Sequence, residues 1–331
     1  MTDGWTDDVP TGGYVRHESR PADGPVDLDL TVDVGRVDVH LEELPTDPDP
    51  GAETAGAETE DTPGRQVRVE VRHDPTATGG WAQRLGEVAS WLGAVGSGPD
   101  AVPDPGAGGA DAVRAAEISW SDGEPRGLAV RSSTELPLRM VPLVVAVWAP
   151  AGSRVSARTG AGDVAVHGRA GRATLRTGAG TARTGDVDGD ADITTGSGEV
   201  AVGAVTGRAR IRTGSGAVRI AALGGTTDVK AGSGDVILGE VAADVGVRTG
   251  TGAVQVADAR AGRLELTSGS GGLRIGVHAG VVAELDLSSG SGRARSELDV
   301  QHTAPPREPG LRLRGRTASG DVLVMRAAAP A

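Results

Sequence analysis

TGSGEVAVGAVTGRARIRTGSGAVRI occupies Thr195 to Ile220, and the tetrapeptide that opens it returns at Thr213, 18 residues on. The same restart appears as TGAG at Thr159 and Thr177, AGSG at Ala231 and TGTG at Thr249, each 18 residues from its neighbour. The spacing then loosens. SGSG at Ser268, SGSG at Ser289 and ASG at Ala318 follow gaps of 19, 21 and 29 residues, so the late units carry insertions. A fixed period of this length marks a repeat architecture and has to be read before anything else.

Inside each unit the apolar residues alternate. Val200/Val202, Val218/Ile220 and Val236/Leu238 follow the turn, and Ala191-x-Ile193-x-Thr195 and Ala209-x-Ile211-x-Thr213 precede the next one. Period two is the mark of a strand with one face in and one face out. One strand–turn–strand unit cannot bury its apolar face alone, but stacked units can, each hydrogen-bonded to the copies above and below. The fold predicted is therefore all-β: a single-chain parallel β-solenoid (β-helix) of about eight to ten rungs, each of about 18 residues. Glycine suits its corners, and Val, Ile, Leu, Ala and Thr suit its narrow interior. The alternative is an antiparallel meander or sandwich with a hairpin at each GSG, which has no reason to hold an 18-residue register through six copies.

Composition agrees. The 331 residues include 53 Gly, no Cys, no Phe and a single Lys, Lys230. The absence of Cys excludes disulfides, thiol nucleophiles and Cys-ligated metal. The absence of Phe argues against a thick layered core. Abundant Arg, Ala and Gly with scarce Lys, Asn and Phe is the codon signature of a GC-rich, actinobacterial genome. The net charge of −12 is divided unevenly: residues 1–150 carry −16 and residues 151–331 carry +4. Two different surfaces are expected, and the acidic excess argues against a general nucleic-acid binder. The start, MTDGWTDDVPTGG, is acidic and lacks an apolar h-region, and the longest apolar run, Val141 to Ala149, is too short to span a bilayer. The expectation is a cytoplasmic protein with no membrane span.

Along the chain, residues 1–20 are expected to be a disordered tail, 21–150 an N-terminal cap with the first strands, and 151–331 the solenoid repeats. Within the cap, Val26 to Val34 and Val37 to Leu41 read as two strands about Gly35, and Val67-x-Val69-x-Val71 as a third. Residues 45–64 form an acidic Pro/Gly insert without apolar pattern. Trp81, Leu85, Val88, Trp91 and Val95 fall at helical spacing, so 80–95 is predicted to be a short helix covering the open end of the solenoid. Leu128-x-Val130 and Leu143-x-Val145-x-Val147 are further strands.

The opening VDVGRVDVHLEE, the passage PLVVAVWAPAGSRVSARTGAGDVAVHG and the TGSGDV-like turns resemble the bacterial "putative adhesin" family, domain of unknown function 4097. The resemblance covers about residues 26–44, 65–73 and 128–326; the acidic insert and the Trp helix lie outside it. It implies a β-solenoid and an adhesin-like role, and it brings no catalytic residues with it.

Chemical motifs are weighed against this frame. A phosphate loop needs a Lys after its glycines, whereas Lys230 precedes AGSG. A dinucleotide fingerprint needs a helix after G-x-G-x-x-G, whereas strands follow here. Calcium-binding repeats would want an acid after every GSG; the positions are Asp163, Thr181, Glu199, Ala217, Asp235 and Ala253. Asp186, Asp188, Asp190 and Asp192 alternate beside a turn and read as a solvated edge. The six His (17, 40, 73, 167, 278, 302) share no ligand spacing. No catalytic, cofactor-binding or metal-binding residue is assigned, and no cofactor is expected.

The residue before each TG is more informative: Arg158, Arg176, Thr194, Arg212, Lys230 and Arg248. Outward phase puts them on one face, as a basic stripe broken at Thr194, with Arg172, Arg208 and Arg210 nearby. It reads either as a solvated face balanced by acids such as Asp192 and Asp228, or as a ladder for a polyanion, an acidic protein surface or the chain's own acidic N-terminal segment. With few aromatics beside it, specific nucleic-acid binding is not expected. The function predicted is a non-enzymatic, adhesin-like scaffold that presents a repetitive surface to a partner. The alternatives are a carbohydrate-active enzyme on a β-helix, which would need two acids in one cleft, and a self-assembling filament or homo-oligomer with its exposed edge at the final rung, Leu311 to Met325.

Overall fold

The computed structural model describes residues 14–43, 66–74, 107–298 and 309–328. In chain order its elements are β1 (Val15–Pro21), β2 (Asp27–Glu42), β3 (Gln66–His73), α1 (Ala107–Arg114), β4 (Glu117–Ser121), β5 (Gly127–Arg131) and β6 (Leu143–Pro150). The repeats follow as β7 (Arg154–Ala161), β8 (Val164–His167), β9 (Arg172–Ala179), β10 (Ala182–Thr184), β11 (Ala191–Ser197), β12 (Val200–Val205), β13 (Ala209–Ser215) and β14 (Val218–Leu223). They continue as β15 (Thr227–Ser233), β16 (Val236–Val241), β17 (Val245–Thr251), β18 (Val254–Ala259), β19 (Gly262–Ser270) and β20 (Leu273–Val277). The last are β21 (Ala283–Ser289), β22 (Ala294–Ser296), β23 (Leu311–Ser319) and β24 (Val322–Arg326).

Odd-numbered strands from β7 stack in parallel into one sheet, and even-numbered strands from β8 into a second. Val200 lies opposite Val218, and Val218 opposite Val236. Ile193, Ile211, Val229 and Val247 form a second inward column, none of them exposed to solvent. A third column, Val205, Leu223 and Val241, comes three residues after the last alternating position. That slip from period two marks a bend in each rung. The core is therefore a narrow lumen lined by ladders of small aliphatic side chains, each rung about 4.8 Å from the next.

The TGSG corner has a physical reading at each position. Thr213 points inward and is buried, and its hydroxyl donates to the Ser215 carbonyl at 3.1 Å. Thr177 and Thr159 do the same for Gly162 O, at 3.0 and 2.9 Å. The buried hydroxyl thus finds its own acceptor at the corner, and the Ser215 carbonyl also accepts from the Gly198 amide of the neighbouring rung at 2.9 Å. Gly216 has φ +128°, and a Cβ there would press on the Gly198 carbonyl of the rung below. Only glycine fits that left-handed, closely stacked corner.

Both ends of the solenoid depart from chain order. β2 is one continuous strand that crosses from the first sheet to the second at Gly35, φ +127°. It is inserted between the β5/β6 rung and the β7/β8 rung. At the other end β23/β24 is inserted between β19/β20 and β21/β22. Starting from β7/β8, the stack runs in sequence to β19/β20 and then continues β23/β24, β21/β22: nine rungs among the described residues. The final rung of the sequence is therefore not the exposed edge. That edge is β21/β22, because Leu311 and Leu313 lie between two rungs and are buried, whereas Leu285 and Leu287 are only half-buried.

The N-terminal end is closed by antiparallel strands. β3 pairs with β6, β1 with β3, and β4 with β5. The expectation of a disordered tail, whose residues 1–13 lie outside the described residues, is corrected for residues 15–20, since Val15–Pro21 is a strand. Its side chains are largely exposed, and it is held by backbone pairing from Val15↔Arg72 to Pro21↔Gln66. Helix α1 buries Ala112 and Val113 beside this cap, and the Arg114 guanidinium lies 4.4 Å from the Tyr14 ring centroid. The predicted helix at 80–95 and the insert at 45–64 lie outside the described residues.

A candidate partner-binding face

The first sheet carries the basic stripe on its outer face. Strand register sets Arg158 opposite Arg176, Arg176 opposite Thr194, Thr194 opposite Arg212, Arg212 opposite Lys230 and Lys230 opposite Arg248. Every cation of the series is exposed. The column continues through Thr267 to Arg316 and Ser288, and in the other direction through Thr31 to Arg131. Arg316 precedes TASG and Arg131 lies outside the repeat. The first was within reach of the same R-T-x-(S)-G signal, while the second is found only from strand pairing.

Neutralisation along the column is uneven. Asp228 pairs with Lys230 at 3.5 Å and with Arg248 at 3.8 Å, and Asp286 reaches Arg316 at 3.9 Å. Arg158, Arg176 and Arg212 meet no carboxylate within ion-pair distance among the described residues. Of the flanking arginines, Arg172 pairs with Asp190 at 3.0 Å, whereas Arg210 lies opposite Asp192 and Asp228 without an ion pair to either.

The acids have local structural work. Asp163 accepts hydrogen bonds from the amide and hydroxyl of Thr181, one rung on, at 2.7 and 2.5 Å. Asp235 accepts from the Ala253 amide at 2.8 Å and Asp186 from the Ala204 amide at 2.8 Å. Asp188 pairs with Arg169 at 3.1 Å. The DVDGDAD cluster is thus spread over amides and arginines, and among the described residues no group of three or more His, Asp or Glu could hold a metal ion. Among the same residues no helix is long and apolar enough to cross a membrane.

Two further groupings were not legible as sites. Asp258 accepts from Arg260 Nε at 2.8 Å and lies 2.9 Å from His278 Nδ1, while Arg260 also reaches Glu240 at 2.9 Å. Burial pushes the Asp258 carboxyl upward, but the hydrogen bonds and charges of Arg260 and His278 outweigh it and hold the group below its ordinary value. On the second sheet, Trp148, His40 and His167 stand opposite one another. Their rings stack at 5.4 and 4.9 Å, with the Arg68 guanidinium 4.5 Å from the Trp148 centroid. His302 lies outside the described residues.

No curated protein matches the chain in sequence. Among solved structures, the chain is similar to a "putative adhesin" from Bacteroides fragilis at 9% identity, covering 94% of this chain and 97% of the other, with a TM-score of 0.36. It is similar also to a "putative adhesin" from Parabacteroides merdae at 11% identity, covering 94% and 97%, TM-score 0.38. A third likeness is to a "putative cell adhesion protein" from Clostridium sporogenes at 9% identity, covering 95% and 99%, TM-score 0.21. The family model described as Toastrack DUF4097 matches residues 143–325, which takes in β6 and every repeat rung up to Met325. On that match, over more than half its length, the chain belongs to the Toastrack DUF4097 family.

Proposed function

We propose that this protein is a non-enzymatic scaffold whose first sheet binds an acidic macromolecular partner along the ladder Arg158, Arg176, Arg212, Lys230 and Arg248. One observation carries the reading. Like charges directly opposite on neighbouring strands destabilise a sheet, and three of these five cations have no carboxylate partner among the described residues. A partner with negative charges at matching intervals relieves that repulsion. The stacked rungs hold the cations in a fixed row, so little ordering cost falls on the protein when the partner binds.

Poly-glutamate serves as a probe of the ladder. Wild-type protein is expected to bind it and to lose affinity steeply between about 50 and about 500 mM salt, as surface charges are screened. An Arg158→Ser/Arg212→Ser/Arg248→Ser variant is expected to bind about ten-fold or more weakly. Equal affinity of the two proteins, or binding insensitive to salt, overturns the reading.

A further inference from the structure

The outer face of the second sheet bears a groove of about 530 Å³, with His167 at one end and Gly185, Gly203, Ala221 and Gly239 along it. Register explains its origin. The column Arg68, Trp148, His40, His167 is a continuous stack of flat groups. Val166 lies opposite Thr184, so the next member of that column is Gly185, which has no side chain to continue the stack. His167 is exposed, with one ring face against His40 and its onward neighbour a bare backbone.

The walls add charge. Arg183 stands two residues before Gly185 on the same face and has no ion pair or hydrogen bond of its side chain among the described residues. Arg219, two rungs on, lines the same groove and is paired with Glu199 at 2.5 Å.

We infer that this groove binds a linear acidic polysaccharide. A sugar ring lies on the bare backbone beyond His167, with its C–H face against the exposed face of that ring, and its carboxylate meets the guanidinium of Arg183. The exposed face of the His167 ring offers dispersion contact to the C–H face of a sugar, and a charge-assisted hydrogen bond to the free guanidinium selects an anionic one. The groove continues over Gly203, Ala221 and Gly239 instead of closing after one ring, which suits a chain of sugars better than a single small molecule. The site lies on the opposite sheet from the basic ladder and does not depend on it.

Oligogalacturonates, with cello-oligosaccharides as neutral controls, test the inference by calorimetry and by the ring signals of His167. Wild-type protein is expected to bind the acidic oligosaccharide and to shift the His167 signals. His167→Ala and Arg183→Gln are each expected to weaken binding about ten-fold. In the ladder variant Arg158→Ser/Arg212→Ser/Arg248→Ser, which lacks the other anion-binding face, the oligosaccharide is expected still to shift the His167 ring signals, which separates this site from the ladder. Absence of binding to wild type, equal binding of the neutral sugar, or His167 signals that do not move in the ladder variant while Arg183→Gln leaves binding unchanged overturns it.

Discussion

Gly216 shows at a single residue how much of this fold is backbone against backbone. Its φ of +128° and the carbonyl of Gly198 beneath it leave no space for a methyl group. Gly216→Ala is expected to cost about 3 kcal/mol or more, read as a drop in the unfolding midpoint in urea. The threonine beside the corner gives a paired test. Thr213 donates to the Ser215 carbonyl, so Thr213→Val removes a hydrogen bond and is expected to cost about 1 kcal/mol. Thr184 is as deeply buried, between Val166 and Val202, but its hydroxyl has no partner among the described residues. Thr184→Val is therefore expected to stabilise the protein by about 1 kcal/mol. These corners were legible in the sequence because each residue type at TGSG answers a separate demand of the turn, and the demand recurs every rung.

At the level of elements, the repeat announced the parallel rungs but not the order in which the outer ones stack. Local alternation in Leu311 to Met325 says that a rung forms; it does not say which neighbour the rung pairs with. The exchange of β23/β24 with β21/β22 hides in a long connection, and the insertion of β2 beneath β5/β6 hides likewise. β1 escaped detection for a different reason. VRHESRP has no apolar alternation, because its strand is set by backbone pairing with β3 and not by a buried face. The basic ladder was legible because its residues share one phase of the repeat, whereas the Trp148–His40–His167 stack joins residues that meet only through the inserted strand.

Cross-rung charge networks belong to this scale as well. Asp258 on β18 ties Arg260 to His278 beyond β20. Its carboxyl titrates below its ordinary value when folded. Its contribution to stability is therefore present above the unfolded value, about pH 3.9, and is lost as pH falls through the lower folded value. Asp258→Asn is expected to lower Tm at neutral pH, and the difference from wild type is expected to shrink as pH falls below about 4. A gap that stays constant down to the acid transition would contradict the assignment.

At the scale of the whole molecule, the stack has, among the described residues, one well-covered end and one bare one. The N-terminal end carries antiparallel strands and α1, whereas the outermost described rung at the other end is β21/β22, with Leu285 and Leu287 half-buried and Val282 exposed. Unpaired edges of this kind invite association. If association occurs there, light scattering against concentration is expected to show a rise in mass for wild type that Leu285→Lys abolishes; a rise that persists in that variant would place the contact elsewhere.

The central claim is that the rungs stack in parallel, with the last rung of the sequence tucked beneath its predecessor. Because the chain has no Cys, pairs of spin labels can be placed at introduced cysteines, with Arg158→Cys fixed and the second label at 230, 248, 267, 316 or 288 in turn. Distances from pulsed electron resonance are expected to grow by about 4.8 Å per step in that order, to about 24 Å at 248, about 34 Å at 316 and about 38 Å at 288. Distances that fail to rise step by step, or a label at 316 that lies farther from 158 than one at 288, would contradict the account.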